Sequence, residues 1–386
     1  MNSKERFLAA IDRKILPDRL PVTTHHLMPY FLNKYMKGIS ELDFFDYFGL
    51  DPILWLSPVK PNTLKGDYII EDQILSDFTG PKRICSENWR IETKKIPSND
   101  YKTIKYTIYT PEKSLSMILQ TDEYSSWVTE HLVKETSDIE LIEKYSTIPI
   151  CDVDKLNKLV DGFGNKGIVR GSVPSFDIYG QPGCWQDAAV LYGIQNLIIK
   201  TFEDPEWVHS FLKILCERKK TSVKSMKGAK FDIIEHGGGD ASTTVISPDI
   251  FEKFVAPYDT EIIQTARKSG QRVVYHTCGG MMPILENIVA MGPDAIETFT
   301  PPDMGGDADL KDAKRRIGDK VCMIGGFDQF HFFKNCTIDQ TKIAVRKCFE
   351  EAGADGGFIL CPSDHFFDAD LKLIMAYAEE AKMCKY

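Results

Sequence analysis

The run Val273-Val274-Tyr275-His276-Thr277-Cys278-Gly279-Gly280 carries the strongest chemical signal in this chain. An apolar stretch ends in His-x-Cys followed by two glycines. Side chains alternate faces along a strand, so His276 and Cys278 point the same way at its C-terminal tip. An imidazole and a thiolate on one face, with glycines leaving room beside them, suit half of a zinc site. The plainer reading, a buried His and a buried Cys beside a turn, gives way only if further ligands exist. Two later segments offer them. Ala295-Ile296-Glu297-Thr298 sets a carboxylate where a buried strand should be apolar, and Phe358-Ile359-Leu360-Cys361-Pro362 ends in a thiol. His276, Cys278, Glu297 and Cys361 together match zinc's preference for nitrogen, sulfur and carboxylate in a tetrahedron. Zinc held by such ligands can keep a substrate thiol as thiolate or draw charge from an ether oxygen, and both suit methyl transfer.

Other groups collect at comparable places. Glu235 and Asp240, candidate catalytic acids, flank Gly237-Gly238-Gly239, with His236 beside Glu235. The glycines permit close approach of something bulky, such as a corrin edge or a ring, and are candidate cofactor contacts; a tight structural turn is the alternative. His25 and His26 end the first strand, and Asp328 and His365 follow later ones, giving four candidate substrate-binding residues. His131 and His209 read as surface or helix residues.

These residues need elements to hold them. Buried apolar strands are expected at 167–171, 231–235, 272–276, 295–298, 321–325 and 357–361. Helices are expected between and after them, at 206–226, 248–268, 282–291, 310–317, 338–352 and 369–382. Such alternation implies a parallel sheet covered by helices. The expected fold is therefore α/β, a distorted (β/α)8 TIM barrel over 1–386 whose strand ends form the catalytic face. Ser3–Asp12 reads as an opening helix with Ser3 as cap, and Arg19–Thr24 as a first strand. Between about 60 and 133 the pattern changes to exposed antiparallel strands such as Thr103–Ile108, a β-rich excursion. No G-x-G-x-x-G follows a strand, so nothing points to a dinucleotide.

The 386 residues are 43% hydrophobic and carry a net charge of −9. Without a basic stretch, nucleic acid and anionic membranes are not expected partners. No apolar run reaches about 18 residues, so no bilayer span is expected, and the opening helix has no apolar signal core. A cytoplasmic protein is the expectation. The 10 scattered cysteines then read mostly as free thiols, with a few on metal; Cys216 and Cys348 lie in helical patterns as packing.

The chain resembles the uroporphyrinogen decarboxylase superfamily over nearly its whole length. The resemblance rests on Arg19-Leu20-Pro21-Val22, on Ile246 to Tyr258 (ISPDIFEKFVAPY), on His276-Thr277-Cys278-Gly279, on Gly325-Gly326-Phe327-Asp328 and on Ile359-Leu360-Cys361-Pro362-Ser363. It implies a distorted (β/α)8 barrel with its site at the C-terminal rim. Within the superfamily, H-x-C marks the corrinoid-dependent zinc methyltransferases. The decarboxylases proper carry instead an arginine-rich signature after the first strand, where this chain reads Thr23-Thr24-His25-His26-Leu27-Met28-Pro29. Ala295–Thr298 is also similar to the glutamate segment of cobalamin-independent methionine synthase, which binds zinc through His, Cys, Glu and Cys in this order. In the methylcobamide:coenzyme M enzymes the last cysteine sits where this chain has Asp364-His365. Cys361, Asp364 and His365 are thus alternatives for the last ligand, with Cys361 preferred on residue type. The resemblance implies transfer of a methyl group from a small methylated donor, an aryl methyl ether being one (O-demethylation), to cobalamin on a separate corrinoid protein. Methylcobalamin-to-thiol transfer, and a metal-free decarboxylase, are the alternatives.

Overall fold

A computed structural model describes residues 1–71, 82–176 and 178–386. Seven parallel strands form one sheet, Ile53–Trp55, Ile168–Ser172, Ile233–Gly237, Val273–His276, Ala295–Thr298, Cys322–Phe327 and Phe358–Pro362, in that spatial order. Each after the first is almost wholly buried, which accounts for their apolar sequences. The extended segment at Leu20–Thr24 lies between the two edges. Leu360 N donates to Pro21 O, Thr23 N donates to Leu360 O, and Asp51 N donates to Val22 O. This segment acts as an eighth stave and curls the sheet into a distorted TIM barrel. It makes one bridge, Val22 to Leu360, where a longer strand was expected; Pro21 has no N–H to extend the ladder.

The layer of helices follows the expected spacing, with differences that have local causes. The helix expected at 248–268 contains a π-helical turn at Phe251–Val255 before Ala256–Lys268. Pro257 cannot donate to the preceding turn, and the widened turn accommodates it. The first helix is Ser3–Asp12 as expected, but Asn2 is its cap: its side chain accepts from Glu5 N at 2.9 Å and Glu5 answers on Asn2 N at 3.0 Å. Ser3 instead donates to Asp51 at 2.7 Å. Asp51 is a fully buried carboxylate that also binds Arg6, Arg19 and Val22 N, so it pins the first stave to the opening helix.

The β-rich excursion is an antiparallel meander, Arg90–Ile96, Lys102–Tyr109, Ser114–Thr121 and Ser126–Glu130, beside a pair of strands, Tyr68–Glu71 and Lys82–Cys85. Its stretch 72–81 lies outside the described residues. Alternation puts Ile104, Tyr106, Ile108, Leu115, Met117 and Leu119 on the buried face, each opposite a partner across the middle pair of strands. The meander reaches the barrel mouth at its last strand, where Tyr179 donates to Ser126 O at 2.8 Å. Among the described residues no helix is long and apolar enough to cross a membrane.

Candidate metal centre at the barrel mouth

Parallel pairing sets His276 directly opposite Glu297 at the ends of neighbouring strands. His276 Nδ1 lies 2.9 Å from Glu297 Oε1, and His25 Nε2, from the end of the first stave, lies 3.1 Å from the same oxygen. Arg170 enters from the Ile168–Ser172 strand. It donates to Glu297 Oε2 at 2.8 Å and to Glu235 Oε2 at 2.6 Å, and also touches Glu297 Oε1. Ligand atoms of His25, Glu235, His276 and Glu297 lie within 4.8 Å of one another. His25 Nδ1 is buried without a hydrogen-bond partner among the described residues.

Burial fixes how these charges behave. It works against ionisation of Glu297, but the Arg170 charge, His25 and His276 hold the carboxyl well below its ordinary range. Burial likewise opposes a charge on His276, yet hydrogen bonds with Cys278 and Glu297 and the charges of Glu235 and Glu297 raise its pKa well above that of a free imidazole. The Cys361 thiol is pushed far up, first by burial and then by the charge on Glu297. Two buried carboxylates therefore demand positive charge at this point, and Arg170 and the His276 proton supply it. A divalent cation answers the same demand: the clustered donors are imidazole and carboxylate, and neither Cys278 nor Cys361 is among them, although Cys278 hydrogen-bonds His276.

Cys278 follows His276 by two residues, past the end of the strand, and hydrogen-bonds it. The missing side chain of Gly239 makes room for it: a Cβ there would meet the sulfur at 2.5 Å. The neighbouring glycines are also closed upon by the chain's own atoms. A Cβ at Gly237 (φ 108°) would meet His276 O at 2.3 Å, and one at Gly238 would meet Gln186 Oε1 at 2.5 Å. The three glycines thus form a turn fitted to its own protein neighbours.

Further candidates lie at graded distances from this centre. His26 stacks on Trp55 at 4.0 Å between centroids and meets His25 edge-on at 4.5 Å. His365 is half-exposed, 6.3 Å from the His25 ring, and its Nδ1 lies 3.2 Å from Asp364. Burial lowers the pKa of both His26 and His365, with neighbouring histidines adding to the shift. Asp240 holds Gln186 rather than the cluster: its Oδ2 accepts from Gln186 Nε2 at 2.8 Å. Asp328 caps the short helix Gln329–Phe332, accepting from His331 N at 3.0 Å, and faces a separate cavity of about 530 Å³. The structure does not bring Asp328 to the metal donors.

His236 points the other way from Glu235, into the layer behind the sheet. Its Nε2 lies 2.9 Å from Asp259 Oδ1 but off the hydrogen-bond direction, and Tyr275 donates to the same carboxylate at 3.1 Å. His209 lies on the helix Pro205–Lys224, stacked on Phe254. His131 is partly buried and spends Nδ1 on Val190 O at 2.8 Å.

Arg170 is the residue that reading the sequence overlooked. Its guanidinium lies over Trp55 at 4.4 Å as well as between the two glutamates. A charged residue inside the apolar run Ile168-Val169-Arg170-Gly171 is the same kind of signal that singled out Glu297.

A family model, uroporphyrinogen decarboxylase (URO-D), matches residues 108–381, well over half of the chain. Among solved structures the chain is similar to a methyltransferase from Methanosarcina mazei, 16% identical over 99% of each chain with a TM-score of 0.64. It is also similar to a B12-independent methionine synthase from a Shewanella species, 10% identical over 94% of this chain and 96% of that one, with a TM-score of 0.47. No protein of curated function matches the sequence. The likeness to the Methanosarcina mazei structure is one of fold.

Proposed function

The chain belongs to the uroporphyrinogen decarboxylase family, and from that premise we propose that it is a zinc-dependent methyltransferase. It moves a methyl group from a small methylated donor, aryl methyl ethers among the candidates, to cobalamin carried by a separate corrinoid protein. The observation that carries this reading is the contact of His276 with Glu297 beside the Cys278 thiol, at the rim where a barrel does its chemistry. His276, Cys278, Glu297 and Cys361 would hold zinc. When bound, zinc supplies Lewis acidity at the heteroatom that carries the methyl group.

The chain's own residues have definable tasks. Arg170 fixes both Glu235 and Glu297, so neither carboxylate is free to swing. His25 steadies Glu297 from the opposite side. Burial of this network keeps water from the donors and strengthens each charge interaction. His26, stacked on Trp55, and His365 line the approach to the centre.

The decarboxylase reading is disfavoured by the same geometry. Arg170 is already committed to two glutamates of its own chain, and a porphyrinogen with many carboxylates would bring further negative charge to Glu235 and Glu297. The methyl-transfer reading is supported by the fold shared with a methyltransferase.

The test is metal analysis together with a spectral assay of reduced cobalamin against methoxyarenes, methylamines and thiols. Stoichiometric zinc and a donor that converts cob(I)alamin to methylcobalamin are the expected results. A protein that takes no zinc and alkylates or dealkylates no cobalamin would sink the proposal.

A further inference from the structure

The turn Gly238–Asp240 is a thin wall between the proposed metal donors and a second space. Gly239 touches the Cys278 sulfur side, whereas Gly238 packs on Gln186. Next in sequence, Asp240 is locked to that same Gln186: Asp240 N donates to Gln186 Oε1 at 2.7 Å, and Gln186 Nε2 donates back to Asp240 Oδ2 at 2.8 Å. Asp240 and Gln186 form one end of a cavity of about 470 Å³ that runs between the helix Cys184–Tyr192 and the strand Ser126–Glu130. That volume suits a small organic ligand.

Its lining is unusual in charge. Asp240 is the one carboxylate among the described residues that line it, and no lysine or arginine joins it there. The carboxylate is largely buried, has a single side-chain donor, Gln186, and forms no ion pair among the described residues. Burial pushes its pKa up, with Gln186 only partly offsetting the shift, so the charged form lacks support. Trp127 and Tyr179 line the same space, with Val128 and Ile194. The Tyr179 hydroxyl is committed to Ser126 O, which leaves its ring as what it offers to a ligand. An unpaired carboxylate beside aromatic rings is the recognition chemistry of an organic ammonium ion.

We infer that this cavity, on the far side of the turn from the proposed metal donors, binds an organic ammonium cation. The inference stands on the cavity alone and does not depend on the methyltransferase reading.

The full-length chain is titrated calorimetrically with tetramethylammonium and choline, and with 3,3-dimethyl-1-butanol as the uncharged analogue of choline. Both cations should bind, the neutral analogue at least about tenfold more weakly. Asp240→Asn keeps an acceptor for Gln186 and should weaken the cations by about tenfold or more with an unchanged melting temperature. Trp127→Leu should weaken them too, and Trp127→Phe should restore most of the affinity. Equal binding of the neutral analogue, undiminished cation binding by Asp240→Asn, or no binding of either cation at millimolar concentration each overturns the site. The two readings fail separately. Cation binding without any methyl passing to reduced cobalamin defeats the methyltransferase proposal and leaves the site standing.

Discussion

His276 Nδ1 sits 2.9 Å from Glu297 Oε1 because the parallel register pairs these two residues at the tips of adjacent strands. Neither side chain needs a loop to bring it there, so the pair is held by the sheet itself. Sites built on strands keep their geometry better than sites built on loops. The donors of this pair form the part of the proposed centre that substitution should damage most directly.

Zinc content should separate the two possible donor sets that share this pair. His276→Ala, Cys278→Ser and Cys361→Ser are each expected to lower bound zinc by about tenfold or more, measured by plasma mass spectrometry after dialysis. His25→Ala and Glu235→Gln should keep most of it. Near-stoichiometric zinc in the His276→Ala protein removes the centre as drawn, and loss on His25→Ala with retention in Cys361→Ser would move it toward the imidazole–carboxylate set.

Gly239→Ala tests the wall behind Cys278. The new methyl group would fall 2.5 Å from the sulfur, closer than such atoms can sit, so the thiol must turn away. Gly239 does not have a positive φ, and the backbone itself tolerates alanine. Zinc should therefore fall while the melting temperature changes by no more than about 2–4 °C, the shift for about 1 kcal/mol in a large domain. Full zinc retention would mean that Cys278 is not a ligand.

Much of this arrangement was legible in the sequence, for a reason that also explains what was not. Alternation alone puts His276 and Cys278 on one face, and a carboxylate in Ala295–Thr298 announces itself against its apolar neighbours. The same rule says that Glu235 and His236 face opposite ways but not which of them faces inward. That is decided by the helix Ala256–Lys268, whose Asp259 receives His236. Arg170 carried as clear a signal as Glu297, yet its role depends on two partners 65 and 127 residues away. Asp328 reads equally well as a site acid or a helix cap, and only the following turn, with His331 folding back onto it, separates them. The cap at Asn2 was missed by one residue, because Ser3 and Asn2 are both good caps and Asp51 claims the serine hydroxyl.

Arg170→Met should be the most destabilising single change at the mouth. It leaves Glu235 and Glu297 buried without their cation, a loss of about 3–5 kcal/mol for a broken buried pair. Urea denaturation of the metal-free protein should show it as a lower midpoint with an unchanged slope. Adding Glu297→Gln to Arg170→Met should recover part of the loss, because one of the uncompensated charges is gone. A midpoint within error of the wild type for Arg170→Met alone would mean that the two carboxylates are neutralised elsewhere.

Acid should loosen the segment that follows Cys361. Asp368 lies there, hydrogen-bonded by the Tyr35 hydroxyl and by Lys34, 3.0 Å away, with Lys334 at 3.3 Å. The Tyr35 hydrogen bond, then the Lys34 bond, bring its pKa down from 3.8 to about 2. A carboxylate whose pKa is lower in the folded state adds stability that is fully present above the unfolded value and vanishes as pH falls through the folded one. The wild type should therefore exceed Asp368→Asn in urea midpoint at every pH above about 4, and the gap should close between about pH 4 and pH 2. Both Tyr35 and Lys34 lie on the helix Pro29–Met36, which directly follows His25 and His26, so the tie joins the first stave's tip to the last strand's loop. A gap that stays constant down to pH 2 would show that the ion pair contributes nothing and that the asparagine acts only through packing.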